Sequence, residues 1–219
     1  AHMGGFGSIE GVAAAKAEII AGLLPEGTAI LNADDARCAA MAELAPARVL
    51  TFSAQGEPAD LQAENVVLDE AACAAFDLHL PGLDAPRRVQ LAVAGAHNVA
   101  NALAAAGLAL AAGLEPELIA ERLGSVSIES PHRMDVSELS GDLLLIDDSY
   151  NANIDSMTAA LAALPALAGS RRRVVVVSEM LELGESSAAD HARTGELAAQ
   201  AGAAMLIGIG STQEALEAA

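Results

Sequence analysis

Short apolar runs alternate along the chain with longer segments in which apolar residues recur at helical spacing. The runs predict strands and the longer segments predict helices, because the two structures repeat their side chains with different periods. In the first part of the chain this pattern predicts helices at 9–23, 36–43, 97–112 and 116–123, and strands at 28–32, 48–52, 65–70, 75–80 and 88–94. The helix at 97–112 is almost entirely apolar, so we expect it to be buried.

A serine-rich stretch at 124–131 interrupts this pattern and predicts a domain boundary, with domains at 1–124 and 125–219. Beyond it the pattern predicts strands at 134–139, 143–146, 173–177 and 205–209, and helices at 154–167, 187–201 and from 212. Alternation of strands and helices implies a parallel sheet with right-handed crossovers. The predicted fold class is therefore α/β, with the apolar run at 143–146 as a buried strand.

The carboxyl end of the strand at 143–146 carries the most unusual polar segment of the chain. Residues 147–153 read Asp-Asp-Ser-Tyr-Asn-Ala-Asn, with polar side chains at six of the seven positions, and precede a predicted helix. Ligands of open α/β sheets bind at the carboxyl ends of strands, so this segment is a candidate binding site. The alternative is a polar turn in which Asn153 or Asp155 caps the helix, although a cap requires only one such residue.

Lys16 lies in the first predicted helix, near the apolar residues Ile9, Val12 and Ala13. Its spacing of seven, four and three residues from them predicts an amine that points inward. One interpretation is a lysine whose aliphatic stem covers the edge of the apolar face. The other is a desolvated amine that adds carbon dioxide and becomes a carbamate, an anionic oxygen ligand for magnesium.

A second polar group opens the helix predicted at 97–112. Asn101 follows His97 by four residues and Asn98 by three, which places the three side chains on one face at the amino end of the helix. A helix amino terminus favours phosphate, and an asparagine amide offers the donor and acceptor that the edge of an adenine requires. Capping and buried hydrogen bonding are the alternative interpretation.

Two later segments are also candidates. Arg133 follows the predicted domain boundary, where a guanidinium can contact a phosphate, and a surface arginine is the alternative. The segment 178–184, Ser-Glu-Met-Leu-Glu-Leu-Gly, follows another strand and is expected at the same edge of the sheet as 147–153. His191 falls in or near the next helix, and we expect an exposed helix residue there rather than a substrate contact.

Composition narrows the class of partner. The chain has 219 residues, 53% of them hydrophobic, and a formal net charge of −19, so it lacks the basic surface that nucleic acid or an anionic membrane requires. No apolar run approaches the roughly 20 residues that span a bilayer. Cys38 and Cys73 have no metal-type spacing. These features predict a cytoplasmic protein with reduced thiols, no nucleic-acid partner and no membrane insertion.

Taken in order, the segments resemble those of the Mur ligases. Segments 147–153 and 179–184 are similar in particular to the member that adds D-alanyl-D-alanine, and the likeness spans essentially the whole chain. The blocks that carry the resemblance are 5–8 with 16–19, 31–35, 97–104, 147–153 with 155–157, and 179–184.

The resemblance implies an ATP-dependent ligase. In that family ATP activates the carboxylate of a UDP-N-acetylmuramoyl-tripeptide to an acyl phosphate, and the amine of D-alanyl-D-alanine attacks it as phosphate leaves. The implied fold is part of a central ATPase-type α/β domain, followed by a Rossmann-like carboxy-terminal α/β domain that is incomplete at its end. The implied cofactors are ATP and Mg2+, and the full-length ligase is expected to be a monomer.

Residue roles follow from the same resemblance. Lys16 matches the catalytic lysine that is carbamylated and helps to place magnesium, and His2 matches a histidine that binds the second magnesium. Asn98 and Asn101, with His97, match residues of the nucleotide site.

Further roles concern the second predicted domain. Arg133 and Asp148 match catalytic contacts to the ATP phosphate and ribose respectively, and Tyr150 is expected near the nucleotide. The residues expected to contact the incoming dipeptide are Ser149, Asn151 and Asn153.

The chain also departs from the family pattern. It contains no Gly-x-x-Gly-Lys-[Ser/Thr] phosphate-binding loop and no counterpart of the amino-terminal domain that holds the uridine nucleotide. We therefore expect a fragment of a ligase that does not catalyse ligation by itself. Two alternatives stay open: another Mur-type ligase with a different acceptor, such as glutamate, and a ligase-derived module that binds a nucleotide or dipeptide without catalysis.

Overall fold

The computed structural model describes residues 7–126 and 131–210. They group into two compact units: residues 8–69 and 73–126 form the first, and residues 7, 70–72 and 131–210 belong to the second. The domain boundary expected at 124/125 lies close to this division and stays a prediction. His2 and the helix expected from residue 212 lie outside the described residues.

The first unit is built on a five-stranded mixed sheet. Its helices are α1 (Ile9–Ala21), α2 (Ala36–Ala40), α3 (Asn98–Ala111) and α4 (Pro116–Leu123), and a 3-10 helix, Met41–Leu44, follows α2. Its strands are β1 (Thr28–Asn32), β2 (Arg48–Ser53), β3 (Leu61–Leu68), β4 (Cys73–His79) and β5 (Arg87–Ala94). They lie in chain order; the pairs from β1 to β3 are parallel, and those from β3 to β5 are antiparallel.

Helix α3 packs one face against the sheet. Val99 and Leu103 are buried in the core of this unit, whereas Leu108 is 60% exposed, so the helix is buried on one side only. Gly107 lies so close to β1 that a Cβ atom there would be 2.7 Å from Cγ2 of Ile30. A larger residue at this position would therefore push the helix away from the strand.

Helix α1 buries part of the apolar face that the sequence predicts, since Val12 is 7% exposed, but Lys16 lies outside the buried part. Ala17 is buried in a cluster with Leu31 of β1, whereas Ile19 is 72% exposed. Lys16 is exposed as well. The prediction of an inward-pointing Lys16 is wrong, because α1 packs Ala13, Ala17 and Ile20 into this cluster and leaves Lys16 in solvent.

The second unit contains two separate two-stranded sheets. Its strands are β6 (Asp135–Leu139), β7 (Leu143–Asp147), β8 (Val174–Ser178) and β9 (Met205–Ile209). Its helices are α5 (Ile154–Ala168) and α6 (Ser187–Gln200), and a 3-10 helix, Gly184–Ser186, precedes α6. Strands β8 and β9 are parallel, as predicted. The buried residues of their core are Leu161, Val175, Leu197, Ala198 and Ala201.

Strand β7 does not join the predicted parallel sheet. It pairs antiparallel with β6, and the register places Leu139 opposite Leu143. Residues 140–142 make the whole connection, which is too short for the crossover that parallel strands need. The prediction of a buried strand is also wrong, since Leu143 and Leu145 are 57% and 49% exposed.

Two features bear on the predicted class of protein. No helix within residues 7–126 and 131–210 is both long enough and apolar enough to cross a bilayer. Cys38 and Cys73 are free thiols, and burial raises the pKa of each. The prediction that neither cysteine is in a disulfide is therefore confirmed.

Candidate functional site

The turn before α3 is built around the imidazole of His97. This residue is the N-cap of α3, and its ring lies directly over Gly95. A Cβ atom on Gly95 would be 2.5 Å from Cε1 of His97, and Gly95 has a φ of +110° that other residues rarely adopt. Both the backbone conformation and the ring therefore require glycine at this position.

Asn98 and Asn101 are linked at the amino end of α3, as their spacing predicts. Nδ2 of Asn98 donates to the carbonyl of Ala94 at 2.8 Å, and Nδ2 of Asn101 donates to Oδ1 of Asn98 at 3.0 Å. Asn101 is exposed, and its amide makes no other hydrogen bond within the described residues. The Oδ1 atom of Asn101 is therefore an acceptor that a ligand can use.

A hydrogen-bond network that the sequence did not predict joins the carboxyl ends of β1 and β2. The hydroxyl of Ser53, fully buried, donates to Oδ1 of Asp34 at 2.5 Å, while Oδ2 accepts the N–H of Ala54 at 2.8 Å. The same hydroxyl oxygen accepts the N–H groups of residues 55, 56 and 57 at 3.2, 3.0 and 2.9 Å. Asp34, in the 31–35 block, thus helps to fix the turn at residues 54–57. The sequence did not indicate this network, because a serine after an apolar strand is common.

In the second unit, the segment before β6 meets the segment after β7. The carboxylate of Asp148 accepts the N–H of Met134 at 3.0 Å, and the N–H of Tyr150 donates to the carbonyl of His132 at 3.0 Å. The guanidinium of Arg133 lies over the ring of Tyr150, 4.1 Å from its centroid. The structure therefore brings together three of the predicted residues, Arg133, Asp148 and Tyr150.

A hydrogen-bonded pair, His132 and Asp147, closes the same loop. Nδ1 of His132 lies 2.7 Å from Oδ2 of Asp147, and Ser149 donates its hydroxyl and its N–H to Oδ1 at 2.7 and 3.1 Å. These hydrogen bonds, that of His132 foremost, lower the pKa of Asp147 from 3.8 to about 2. Asp147 is therefore ionised at neutral pH. His132 and Met134 have φ values of 63° and 49°, so the loop holds backbone conformations that such residues adopt only under constraint.

The asparagines of segment 147–153 use their side-chain oxygens locally. Oδ1 of Asn153 accepts the N–H of Ser156 at 2.9 Å, and Oγ of Ser156 accepts the N–H of Asn153 at 3.0 Å, which forms a capping box for α5. Oδ1 of Asn151 accepts the N–H of Ala152 at 2.9 Å. The interpretation as a helix cap is thus correct for Asn153, and contacts of these residues to a dipeptide stay predictions.

His191 is buried, and the prediction of an exposed helix residue is wrong. It is 1% exposed; Nε2 accepts the N–H of Met180 at 2.8 Å, and Nδ1 lies 2.7 Å from the carbonyl oxygen of Ser187. Thr194 and Ala198, three and seven residues later, are buried on the same face of α6. This helical spacing is the signal that could have placed His191 in the interior.

The described residues do not form a magnesium site by themselves. No group of three or more His, Cys, Asp or Glu side chains that could hold a metal ion occurs within residues 7–126 and 131–210. Lys16 is exposed, and His2 lies outside this part of the chain. The roles of these two residues toward magnesium therefore stay predictions.

Comparison with known proteins finds relatives for both parts of the chain. The family model of the Mur ligase middle domain matches residues 1–109, and that of the Mur ligase, glutamate ligase domain matches residues 132–219. The UDP-N-acetylmuramoyl-tripeptide–D-alanyl-D-alanine ligase of Mycobacterium tuberculosis is 43% identical over 96% of this chain, and that of Escherichia coli is 39% identical over 100%. The chain spans 42% and 47% of these two relatives.

Solved structures agree with these matches and with the predicted fold class. A crystal structure of MurF from Acinetobacter baumannii matches 99% of this chain with a TM-score of 0.86 and 35% identity, over 46% of its own length. The MurF ligase from Thermotoga maritima in complex with ADP matches 90% with a TM-score of 0.73 and 25% identity, over 44% of its length. The resemblance carried by the five sequence blocks is thus confirmed, and the chain belongs to the Mur ligase family.

Proposed function

We propose that this chain is part of an ATP-dependent ligase that joins D-alanyl-D-alanine to a UDP-N-acetylmuramoyl-tripeptide in peptidoglycan synthesis. Support comes from the relatives that carry this name and from the ADP-bound relative of Thermotoga maritima. Because the chain spans less than half of these relatives, the activity is proposed for a full-length ligase that contains it. A cytoplasmic location fits its free cysteines, and a monomer is proposed on the family resemblance alone.

The observation that carries this proposal is the cluster of Arg133, Asp148 and Tyr150. In this cluster the guanidinium of Arg133 lies over the ring of Tyr150. The carboxylate of Asp148, two residues before Tyr150, is held in position by a hydrogen bond from the backbone N–H of Met134. A guanidinium binds phosphate oxygens in a fixed, often bidentate geometry, and a carboxylate accepts hydrogen bonds from ribose hydroxyls. These are the two kinds of group that a nucleoside triphosphate offers.

The residues of the chain would then bind and orient the reactants. ATP transfers its γ-phosphoryl group to the tripeptide carboxylate, and the dipeptide amine displaces phosphate from the resulting acyl phosphate to form the amide. Arg133 stabilises negative charge on the transferred phosphoryl oxygens, and Asp148 holds the ribose. Asn98 and Asn101 bind the edge of the adenine through their linked amides. The proposed dipeptide contacts are Ser149, Asn151 and Asn153.

Magnesium is proposed on the family resemblance alone, with carbamylated Lys16 and His2 as ligands. When bound, the metal neutralises charge on the phosphates. The exposed Lys16 amine is accessible to carbon dioxide, but its surroundings do not provide the desolvation that the sequence suggested. No step of the reaction is therefore assigned to a metal held by the described residues.

Phosphate release from ATP by the full-length ligase tests the proposal. With the UDP-linked tripeptide present, we expect release to require D-alanyl-D-alanine and to fall about 100- to 1000-fold in Arg133→Ala. Arg172→Ala, which replaces an exposed arginine of the same unit, is the matched control and should leave the rate unchanged.

The other outcomes separate the alternatives. Release that requires glutamate or another amine instead of the dipeptide would favour a different Mur-type ligase. Nucleotide binding without any release, by a folded full-length protein, would favour a binding module that lacks catalysis.

A further inference from the structure

His191 is neutral, and its hydrogen bonds determine which ring nitrogen carries the proton. Of the residues in 7–126 and 131–210, it is the one titratable side chain that is buried. Because the backbone N–H of Met180 can only donate, Nε2 must be the unprotonated acceptor. The proton therefore lies on Nδ1, which donates it to the carbonyl of Ser187.

This imidazole fixes the loop that follows β8, residues 179–183, which we call the β8 loop. The side chains of Met180 and Leu183 are buried, at 5% and 8% exposed, and anchor the loop at two points. Between them Leu181 is 72% exposed, and Glu182 is exposed with a φ of 62°. The anchors thus hold Leu181 and Glu182 outward, and the left-handed backbone at Glu182 persists only where its surroundings fix it.

The β8 loop lies at the edge of the sheet where ligands of α/β folds bind. The parallel register places Ser178 opposite Ile209, so both strands end at the same edge. Glu179 lies beside the residue that follows β9, because a Cβ atom on Gly210 would be 3.7 Å from Cδ of Glu179. A loop already held in shape at such an edge binds a ligand without first losing conformational entropy.

We propose that His191 is a positioning residue, which holds the β8 loop so that Leu181 and Glu182 face the reactants. That His191 affects the reaction rests on the proposed ligase function. That it holds the β8 loop rests only on its hydrogen bond with the N–H of Met180. An apolar residue could fill the same space in the core. It would leave the buried N–H of Met180 without an acceptor, so the loop would open.

The first test uses the chain itself. In a long-range 1H–15N correlation spectrum at neutral pH, His191 should show the neutral form with its proton on Nδ1. The amide of Met180 should exchange with solvent more slowly than that of Leu181, lose this protection in His191→Phe, and regain it in His191→Gln. A charged ring, a proton on Nε2, or equally fast exchange at Met180 and Leu181 in the unsubstituted chain would overturn the proposal.

The second test measures kcat/KM for the dipeptide in the full-length ligase. We expect a loss of about 10- to 100-fold in His191→Phe, which keeps an aromatic ring without an acceptor. His191→Gln, whose amide oxygen can replace Nε2, should recover most of it. Unchanged kinetics in the Phe variant, or equal losses in both variants, would refute the positioning role. If the unsubstituted ligase shows no dipeptide-dependent release, the proposed function fails while the chain experiment still decides the role of His191 in the loop.

Discussion

The guanidinium of Arg133 lies over the ring of Tyr150, 4.1 Å from its centroid. Both side chains are exposed, so the attraction between the cation and the face of the ring is a main constraint on where the guanidinium points. If Arg133 binds the phosphates of ATP as proposed, Tyr150 would act on the nucleotide through Arg133. This relationship separates the role of the ring from that of the hydroxyl.

Replacement of Tyr150 by leucine is expected to raise the KM for ATP about two- to fivefold. An exposed cation–π contact contributes about 0.5–1 kcal/mol, and losing that free energy corresponds to a two- to fivefold increase in the KM for ATP. Tyr150→Phe keeps the ring and should keep the KM of the unsubstituted enzyme. Steady-state phosphate release by the full-length ligase measures both values. A similar increase in the two variants would instead assign the effect to the hydroxyl.

The low pKa of Asp147 can be tested residue by residue. His132→Ala should raise this pKa toward 3.8, and Ser149→Ala should raise it by less, because the bond from His132 contributes most. Carboxyl 13C NMR titration of the chain measures both shifts. Asp77 is the internal control, since its pKa is lowered by Asn65 and Arg88 in the other unit and should not move. A titration of Asp147 that is unaffected by His132→Ala would rule out the pairing.

The lowered pKa of Asp147 also determines how the free energy of unfolding changes with pH. The folded pKa of Asp147, about 2, lies below its ordinary value of 3.8, so the folded state binds this proton less tightly than the unfolded state. Its stabilising contribution is fully present above 3.8 and is lost as the pH falls through 2. Urea unfolding from about pH 5 to about pH 2 should show the free energies of the unsubstituted chain and of His132→Ala converging as the pH falls. A constant difference between them would contradict this linkage.

Secondary structure was predictable because its signals are local. Strand β1 begins and ends at the predicted residues, 28 and 32, and α4 spans the predicted 116–123. Pro116 at the first position of α4 and regular apolar spacing are properties of short segments. The direction in which an element faces is not local, and here the predictions for Lys16, His191 and β7 were wrong. Each depends on which neighbour the element packs against.

In the candidate site, too, features that depend on local sequence were predictable and contacts between distant residues were not. The position of Asp148 and Tyr150 after a strand, together with the family resemblance, marked them as candidates, and their roles stay predictions. His132 and Ser53 escaped prediction because their partners are distant in sequence. His132 pairs with Asp147, 15 residues away, and Ser53 pairs with Asp34, 19 residues away. Only the folded chain brings these groups together.

Ser53 is expected to be a large contributor to the stability of the first unit. Ser53→Ala removes the acceptor of three backbone N–H groups and a donor to Asp34, so it should lower the free energy of unfolding by about 1–3 kcal/mol. Thr51→Ala is the control, because Thr51 exchanges hydrogen bonds with Asp60 at an exposed position and should cost about 1 kcal/mol or less. Urea unfolding measures both, and equal losses would contradict the network.

Gly95 is expected to be irreplaceable while His97 is present. An alanine at 95 meets two penalties, a φ of +110° and a Cβ atom 2.5 Å from the imidazole of His97. Gly113 offers a matched site in the same unit, with a φ of +86° and no atom within 4 Å of a Cβ. Gly113→Ala should therefore cost only the backbone strain, about 1–3 kcal/mol, and Gly95→Ala should cost more.

A double substitution separates the two penalties at Gly95. In a His97→Ala background the imidazole is absent, so Gly95→Ala should cost only the backbone strain and not the steric clash. Its effect on the free energy of unfolding should then be close to that of Gly113→Ala. Urea unfolding of the four chains of this cycle measures the coupling between the two residues. Strict additivity would mean that the imidazole can move away from Gly95 at no cost, and that the turn before α3 is not built around it. A clear coupling would mean that the imidazole of His97 is held in place at the amino end of α3.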